Sequence, residues 1–471
     1  METTSDTTDQ TQEQLEQLKL SDSTNFTGEA IQMQGQLEVD EKDIDGNQYV
    51  FSKSISVQKN SFVDSRQNID KLCPPPVYFS DELLLKELPV EKEEILKGLQ
   101  ETPQGGLVCV DKEAMEKQKG VLVDVLKQLT VNILKGLTIT HISLPVKIFE
   151  PRSTLQRIVD LFSFSPIFLT RASQTPDHLE RFKLVIANAV SSIYLCCAQN
   201  KPFNPILGET LQAQFSDGTE VYCEHTSHHP PISNFYVHPK DRKGYEFWGF
   251  YEFVGSMSGN SLRAGQKGPN NIKFEDGQHI RYSLVDSKLG GTIMGDRTVE
   301  GVGNMVFEDL TNNFKCVLFF NTYQKSGFWT VTETGKKDEF FGVIYKTKQP
   351  IDPVASFKSY YIKGAKDIPD ISKIEPEIEE KLATVTGSWL RELKIDDQVY
   401  WNIDQDKPLR QIPMLDKSQF VLPSDWRYRD DLIWLKYENI PIAHNWKVRM
   451  EVQQRYDRKL RQLNQKGKGS H

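Results

Sequence analysis

Glu224-His225-Thr226-Ser227-His228-His229-Pro230-Pro231-Ile232-Ser233 is the stretch from which the rest of the chain is read. Proline fixes its own φ and pushes the residue before it towards extended conformations, so two histidines ahead of two prolines are expected on a stiff strand end. Successive side chains of a strand alternate in direction, which predicts His228 and His229 on opposite faces. What two stiffly held imidazoles are presented to has to come from the flanking sequence.

On both sides of this stretch, residues 205–347 read as strand after strand. Examples are Glu220-Val221-Tyr222-Cys223, residues Glu246 to Phe253, Cys316-Val317-Leu318-Phe319-Phe320 and residues Glu339 to Tyr345. Turn signals separate them at Ser216-Asp217-Gly218, Asp276-Gly277 and Thr334-Gly335-Lys336. Strands this closely spaced, with no intervening helix, argue for an antiparallel meander, and closing it into a barrel removes exposed edges. The expected class is α+β: a large, near-complete antiparallel β-barrel with an interior that must be filled or used.

Upstream, Leu122, Val125, Leu126, Leu129 and Ile133 recur at helical spacing, predicting an amphipathic helix over residues 121–137. It is either a packing helix or a movable cover over a cavity. Packing helices are expected over residues 151–198. The second is read as starting with Thr175 as N-cap and Pro176 in its first turn, burying Leu179, Phe182, Ile186, Ala189, Val190 and Ile193. Downstream, a charged connector (Ile371 to Glu380) precedes strands at Ser388–Leu393 and Val399–Ile403, and a long basic helix follows Pro441. The expected organisation is an acidic, mostly disordered leader over 1–112, a domain over 113–465 whose C-terminal part spans 385–465, and a tail over 466–471.

The net charge of −8 is localised. Residues 1–72 hold 14 Asp/Glu and 6 Lys/Arg, which accounts for all of it, and the remaining residues hold 51 of each sign. Lys447 to Lys468 holds eight Lys/Arg and two acids, a basic stretch suited either to phosphates or to a solvated helix face. No run approaches the roughly 18 apolar residues of a membrane span, and the acidic opening has no signal-peptide core, so a cytoplasmic location is expected. The six cysteines are scattered without a CxxC pair, and reduced thiols are expected. Nothing in the composition points to nucleic acid.

Enzyme readings find little support. No Gly-x-Ser-x-Gly elbow, phosphate-binding loop, HExxH or Rossmann glycine set is present. Cys223, Glu224, His225, His228, His229 and His238 are metal-ligand types, but alternation along a strand sets them badly for one ion, so no metal and no cofactor is expected. A histidine–carboxylate hydrolase lacks a nucleophile. Anion binding suits the parts better, because imidazole N–H groups donate to phosphate oxygens. Lys447, Glu451 and Arg455 sit at i, i+4 and i+8 on one helix face, and Lys201-Pro202-Phe203-Asn204-Pro205-Ile206-Leu207-Gly208-Glu209-Thr210 forms a second candidate wall.

EHTSHHPPI at Glu224–Ile232 resembles the EQVSHHPP signature of the oxysterol-binding protein-related family, with His225 and Thr226 in place of Gln and Val. Further matches are KPFNPILGET at Lys201–Thr210, IFEPRSTLQR at Ile148–Arg157, GSWLREL and VYWNI around Trp389 and Trp401, and the spacing of Lys447, Glu451 and Arg455. The resemblance covers about residues 115–465. It implies a tunnel holding one lipid under an N-terminal lid, the short form of the family with no pleckstrin homology domain, ankyrin repeats or membrane anchor, and no convincing motif for endoplasmic-reticulum receptors. By the same resemblance, His228 and His229, with Arg455, would bind the 4-phosphate of phosphatidylinositol 4-phosphate (PI4P). Lys201, Asn204, Lys447 and Glu451 would hold the inositol ring and its linking phosphate. The implied activity is exchange of PI4P against a sterol or phosphatidylserine between membranes touched transiently, with no catalytic residue. A lipid sensor acting through a partner is the alternative, and the acidic leader keeps it open.

Overall fold

A computed structural model describes residues 95–116, 144–326, 332–361, 368–414 and 421–468. They fall into two compact units: Leu85–Trp426, and a second to which Arg427–His471 belong. The expected lid residues Leu122, Val125, Leu126, Leu129 and Ile133 lie outside the described residues.

The first unit opens with a short hairpin, β1 (Leu99–Glu101) and β2 (Leu107–Cys109), in sequence that composition assigned to the leader. It is tied to the body because β2 pairs with a later strand, Val108 opposite Thr298 and Leu107 opposite Val299. Then come β3 (Phe149–Ser153), α1 (Thr154–Asp160), α2 (Ser165–Ser173) and α3 (His178–Ser191). The N-cap of α3 is Asp177 rather than Thr175: its Oδ1 accepts from the backbone N–H groups of Leu179 and Glu180 at 2.8 and 3.2 Å. A carboxylate caps more strongly than a threonine hydroxyl and favours the positive end of the helix dipole. Phe182, Ile186, Ala189, Val190 and Ile193 are buried as expected, whereas Leu179 in the first turn is only half-buried.

The strands that follow are β4 (Lys201–Phe203), β5 (Thr210–Gln214), β6 (Glu220–His228), β7 (Pro231–His238), β8 (Tyr245–Ser258), β9 (Ser261–Lys267), β10 (Asn270–Phe274), β11 (His279–Tyr282), β12 (Asp286–Gly290), β13 (Thr298–Asp309) and β14 (Phe314–Phe320). A small hairpin, β15 (Gln324–Ser326) and β16 (Thr332–Thr334), precedes β17 (Glu339–Thr347), β18 (Ile378–Ser388), β19 (Glu392–Ile395), β20 (Gln398–Asn402) and the one-turn α4 (Ile403–Asp406). The connector is shorter than its charge suggests, since β18 begins at Ile378, and Trp389 to Arg391 form the β18–β19 turn rather than strand.

Among the described residues sixteen strands form one sheet in the order β20-β19-β18-β17-β14-β13-β11-β10-β8-β7-β6-β5, with β9 and β12 continuing the β10 and β11 positions along β8 and β13 and the β1–β2 hairpin joined to β13. The break between β9 and β10 falls at Gly268, where φ is +114° and a Cβ would meet the Phe250 carbonyl oxygen at 2.2 Å, so only glycine fits. Burial alternates along β6, β7 and the first half of β8, whereas β13 and β14 are buried almost continuously. Alternation marks a sheet wet on one side, and continuous burial marks the region covered on both. The two ends of the sheet are not left open. β5 is bridged at two points, Gln214–Met414 and Thr210–Asp425, and β20 lies against α3, where Tyr400 donates to Glu180 at 2.8 Å. Phe162, just after α1, anchors the helices on the sheet, with ring centroids 4.6 Å from Phe235 and 5.0 Å from Phe247.

In the second unit, α5 (Asp430–Lys436) precedes α6 (Ile440–Lys468). Among the described residues no helix is long and apolar enough to cross a membrane.

Candidate functional site

The histidine stretch is the tip of the β6–β7 hairpin. His228 faces Pro231 across the turn, the His229–Pro230 peptide is cis, and a bulge lies between His225 and Ser227. The turn changes the expected side-chain directions. His228 and His229 are not on opposite faces: their rings lie 4.9 Å apart at 79°. Strand alternation fails here because His229 has already left the ladder.

Behind the pair stands a residue to which the sequence reading gave no role. His225 is 1% exposed; its Nδ1 lies 3.0 Å from Ser233 Oγ and its Nε2 lies 3.1 Å from His228 Nδ1. This chain fixes the plane of the His228 ring. One proton is shared between these two nitrogens, so the tautomer of His228 is coupled to that of a buried imidazole. Thr226, the other departure from the family signature, accepts from Asn234 Nδ2 at 2.6 Å on the outer face.

The second wall is tied to the first by backbone. Gly208 N–H donates to the His225 carbonyl at 2.8 Å, and His225 N–H donates to the Glu209 carbonyl at 2.9 Å. Glu209 is buried; one carboxylate oxygen accepts from Ser153 Oγ and the other from Ile206 N–H at 2.9 Å, holding the 204–209 turn closed. Lys201 opens this segment in β4, which runs parallel to β3 with Lys201 opposite Phe149. Its Nζ donates to Asn204 Oδ1 at 2.5 Å and lies 5.1 Å from the Phe149 ring centre. The Ile148–Arg157 segment thus supports the site through buried ion pairs: Arg152 to Asp160 at 2.8 Å, and Arg157 to Glu150 and to Asp160.

In the second unit, Lys447, Glu451 and Arg455 do line one face of α6. Lys447 is buried and donates to Glu451 at 2.5 Å, while Arg455 lies 3.6 Å from the other Glu451 oxygen. Burial, with Lys447 nearby, lowers the pKa of His444, and burial together with the charge of Asp431 raises that of Asp430 to about 6. The residues expected to act together thus form two groups, Lys201, Asn204, His228 and His229 in one unit and Lys447, Glu451 and Arg455 in the other.

Between the helices and the sheet of the first unit is a small, partly open cavity. Phe162, Ile193, Tyr251 and Leu284 give it an apolar wall. Ser192 Oγ and Trp389 Nε1, both on lining residues and both buried, have no hydrogen-bond partner among the described residues.

The oxysterol-binding protein family model matches residues 125–470. The chain belongs to the oxysterol-binding protein family. Oxysterol-binding protein 9 of Dictyostelium discoideum is 35% identical over 360 residues, covering 75% of this chain and 79% of that protein. Human oxysterol-binding protein-related protein 3 is 27% identical over 345 residues, 71% of this chain but only 36% of its own length. Among solved structures, the Osh3 ORD of Saccharomyces cerevisiae in complex with PI(4)P superposes with a TM-score of 0.52 at 24% identity, covering 72% of this chain and 84% of that one. The Osh1 ORD domain in complex with cholesterol gives 0.51 at 20%, covering 69% and 77%. At these identities the likeness is one of fold, and it agrees with the many-stranded antiparallel, barrel-like sheet. The chain carries the family's lipid-binding domain.

Proposed function

We propose that this oxysterol-binding protein family member extracts PI4P from one membrane and exchanges it for a second lipid, a sterol or phosphatidylserine, with no covalent step. The observation that carries the reading is the imidazole pair at the β6–β7 tip, fixed from behind by His225, whose backbone is bonded to Gly208 and Glu209 of the segment that Lys201 opens. In this reading His228 and His229 take the 4-phosphate with Arg455, and Lys201, Asn204, Lys447 and Glu451 take the inositol ring and its linking phosphate. Two solved relatives whose ligands are PI(4)P and cholesterol support one fold serving both lipids.

Energetics explain why a cavity and a polar rim are both needed. Exposing acyl chains to water costs about 0.8 kcal/mol per methylene, so two long chains cost on the order of 20 kcal/mol or more. Charge-assisted hydrogen bonds, at about 1.5–3 kcal/mol each, do not offset that. The apolar interior has to replace the bilayer, and the rim supplies selection. One interior holds one lipid at a time, so a gradient of one drives the other.

The test is extraction of PI4P from liposomes by the full chain carrying His228→Ala and His229→Ala. Loss of extraction with unchanged thermal unfolding is expected; undiminished extraction would sink the assignment.

A further inference from the structure

Ile293 and Met294 are the only two neighbouring large apolar residues that are both exposed among the described residues, at 48% and 73%. They form the tip of the β12–β13 connection, and the tip is built rather than loose. Asn260, in the β8–β9 turn, accepts from the backbone N–H of Ile293 at 2.7 Å and of Met294 at 3.1 Å through Oδ1, and donates to the Met294 carbonyl at 2.6 Å through Nδ2. Thr292 N–H donates to the Asn260 carbonyl at 3.2 Å. Gly291, with φ of +62°, lets the connection turn where a Cβ would meet the Asp296 carbonyl oxygen at 1.9 Å. Two hairpin ends are thereby clamped into one surface.

The strand registers locate that surface. β6, β8 and β12 run in one direction and β7, β9 and β13 in the other, so the turns at 229–230, 259–260 and 291–297 lie at the same end of the sheet. Ile232 faces Glu252, which puts Pro231 level with Phe253, while β8 continues to Ser258. The clamped tips therefore overhang the histidine hairpin by five residues, about 17 Å of strand. Their charge is also unusual for this chain. Phe253–Gly265 and Ser287–Arg297 contain Arg263, Lys288 and Arg297 and a single acid, the exposed Asp296 beside the tip. Arg263 and Lys288 are balanced by Asp286 and Glu300 lower in the sheet, at 2.8 and 3.6 Å.

We propose that the Ile293–Met294 tip is a bilayer-docking point that seats at the headgroup–acyl boundary and brings the histidine rim to the membrane. Apolar side chains enter that boundary favourably, and a tip already fixed by Asn260 loses little entropy on doing so. The inference rests on the lipid-carrier reading, which gives the rim a reason to meet a membrane, and its test is read separately.

The full chain is mixed with phosphatidylcholine/phosphatidylserine vesicles that contain no phosphoinositide. With Ile293→Trp, a blue-shifted emission and quenching by brominated lipid in excess of the unsubstituted chain are expected; no excess quenching overturns the proposal. With Ile293→Ser and Met294→Ser together, vesicle partitioning should weaken about tenfold or more, while Ile293→Leu with Met294→Leu retains it. Equal partitioning of the serine and unsubstituted chains, which a partner protein as the natural occupant would give, overturns it as well. Binding of a water-soluble short-chain PI4P analogue should be the same in all variants. Failure of the unsubstituted chain to bind that analogue would count against the carrier reading, leaving the vesicle measurements to judge the tip.

Discussion

Two segments that carry the family resemblance, Ile148–Arg157 and Glu224–Ile232, are put to opposite uses. In the first the charged groups face inwards and satisfy one another: Asp160, 1% exposed, holds both Arg152 and Arg157, and Arg157 also holds Glu150. In the second the polar rings come out to a rim, with His225 buried behind, His228 half-buried and His229 exposed. A recurring charged motif is therefore not in itself a ligand site. Where its partners lie separates scaffold from site, and Ser153 and Glu209 link the two.

Removing Asp160 should produce the largest effect. Two arginines would be left buried and only partly compensated, and breaking such a pair from one side costs about 3–5 kcal/mol. Denaturant unfolding of Asp160→Ala is expected to show that loss, and Asp160→Asn, which keeps the shape but not the charge, a smaller one. If Asp160→Ala left stability unchanged and abolished PI4P binding, the contrast between the two motifs would be reversed.

His225 sharpens the same contrast on the side of the site. Deleting its ring removes the hydrogen bond that orients His228 and leaves Ser233 unpartnered, at roughly 1–2 kcal/mol for a buried group. His225→Ala should weaken binding of soluble PI4P by about tenfold, 1.4 kcal/mol. His225→Gln, the residue of the family signature, still reaches as donor and acceptor and should restore most of it. A merely structural role for His225 would predict equal thermal destabilisation in both variants and no difference between them in PI4P binding.

How far these roles could be read from the chain depends on the range of the interaction. The meander, the paired histidines at a turn and the buried face of α3 follow from local periodicity and turn chemistry, which the sequence displays directly. His225 was missed because its partner depends on one extra residue in the ladder. Counting back from His228 opposite Pro231 places Ser233 across from Thr226; the bulge moves it to His225 and turns that side chain inwards. The Asp177 cap lost to Thr175 on a proline pattern that fitted a helix starting two residues early. The β1–β2 hairpin was invisible because its stability comes from pairing with β13, almost 200 residues away.

The smallest expected effect lies in the cavity. Ser192 Oγ and Trp389 Nε1 are buried and unpartnered among the described residues, and both belong to residues that line the cavity. A buried hydroxyl without a partner costs free energy that a bound lipid can return by offering a donor or acceptor of its own. Ser192→Ala hardly changes the shape but removes that incentive. It should make the unliganded chain slightly more stable, by up to about 1 kcal/mol, and weaken binding of a hydroxyl-bearing lipid a few-fold while leaving PI4P binding at the rim unchanged. Equal losses for both lipids would mean that cavity and rim read the same ligand group; no loss for either would mean that the polar end of the second lipid does not enter this chamber.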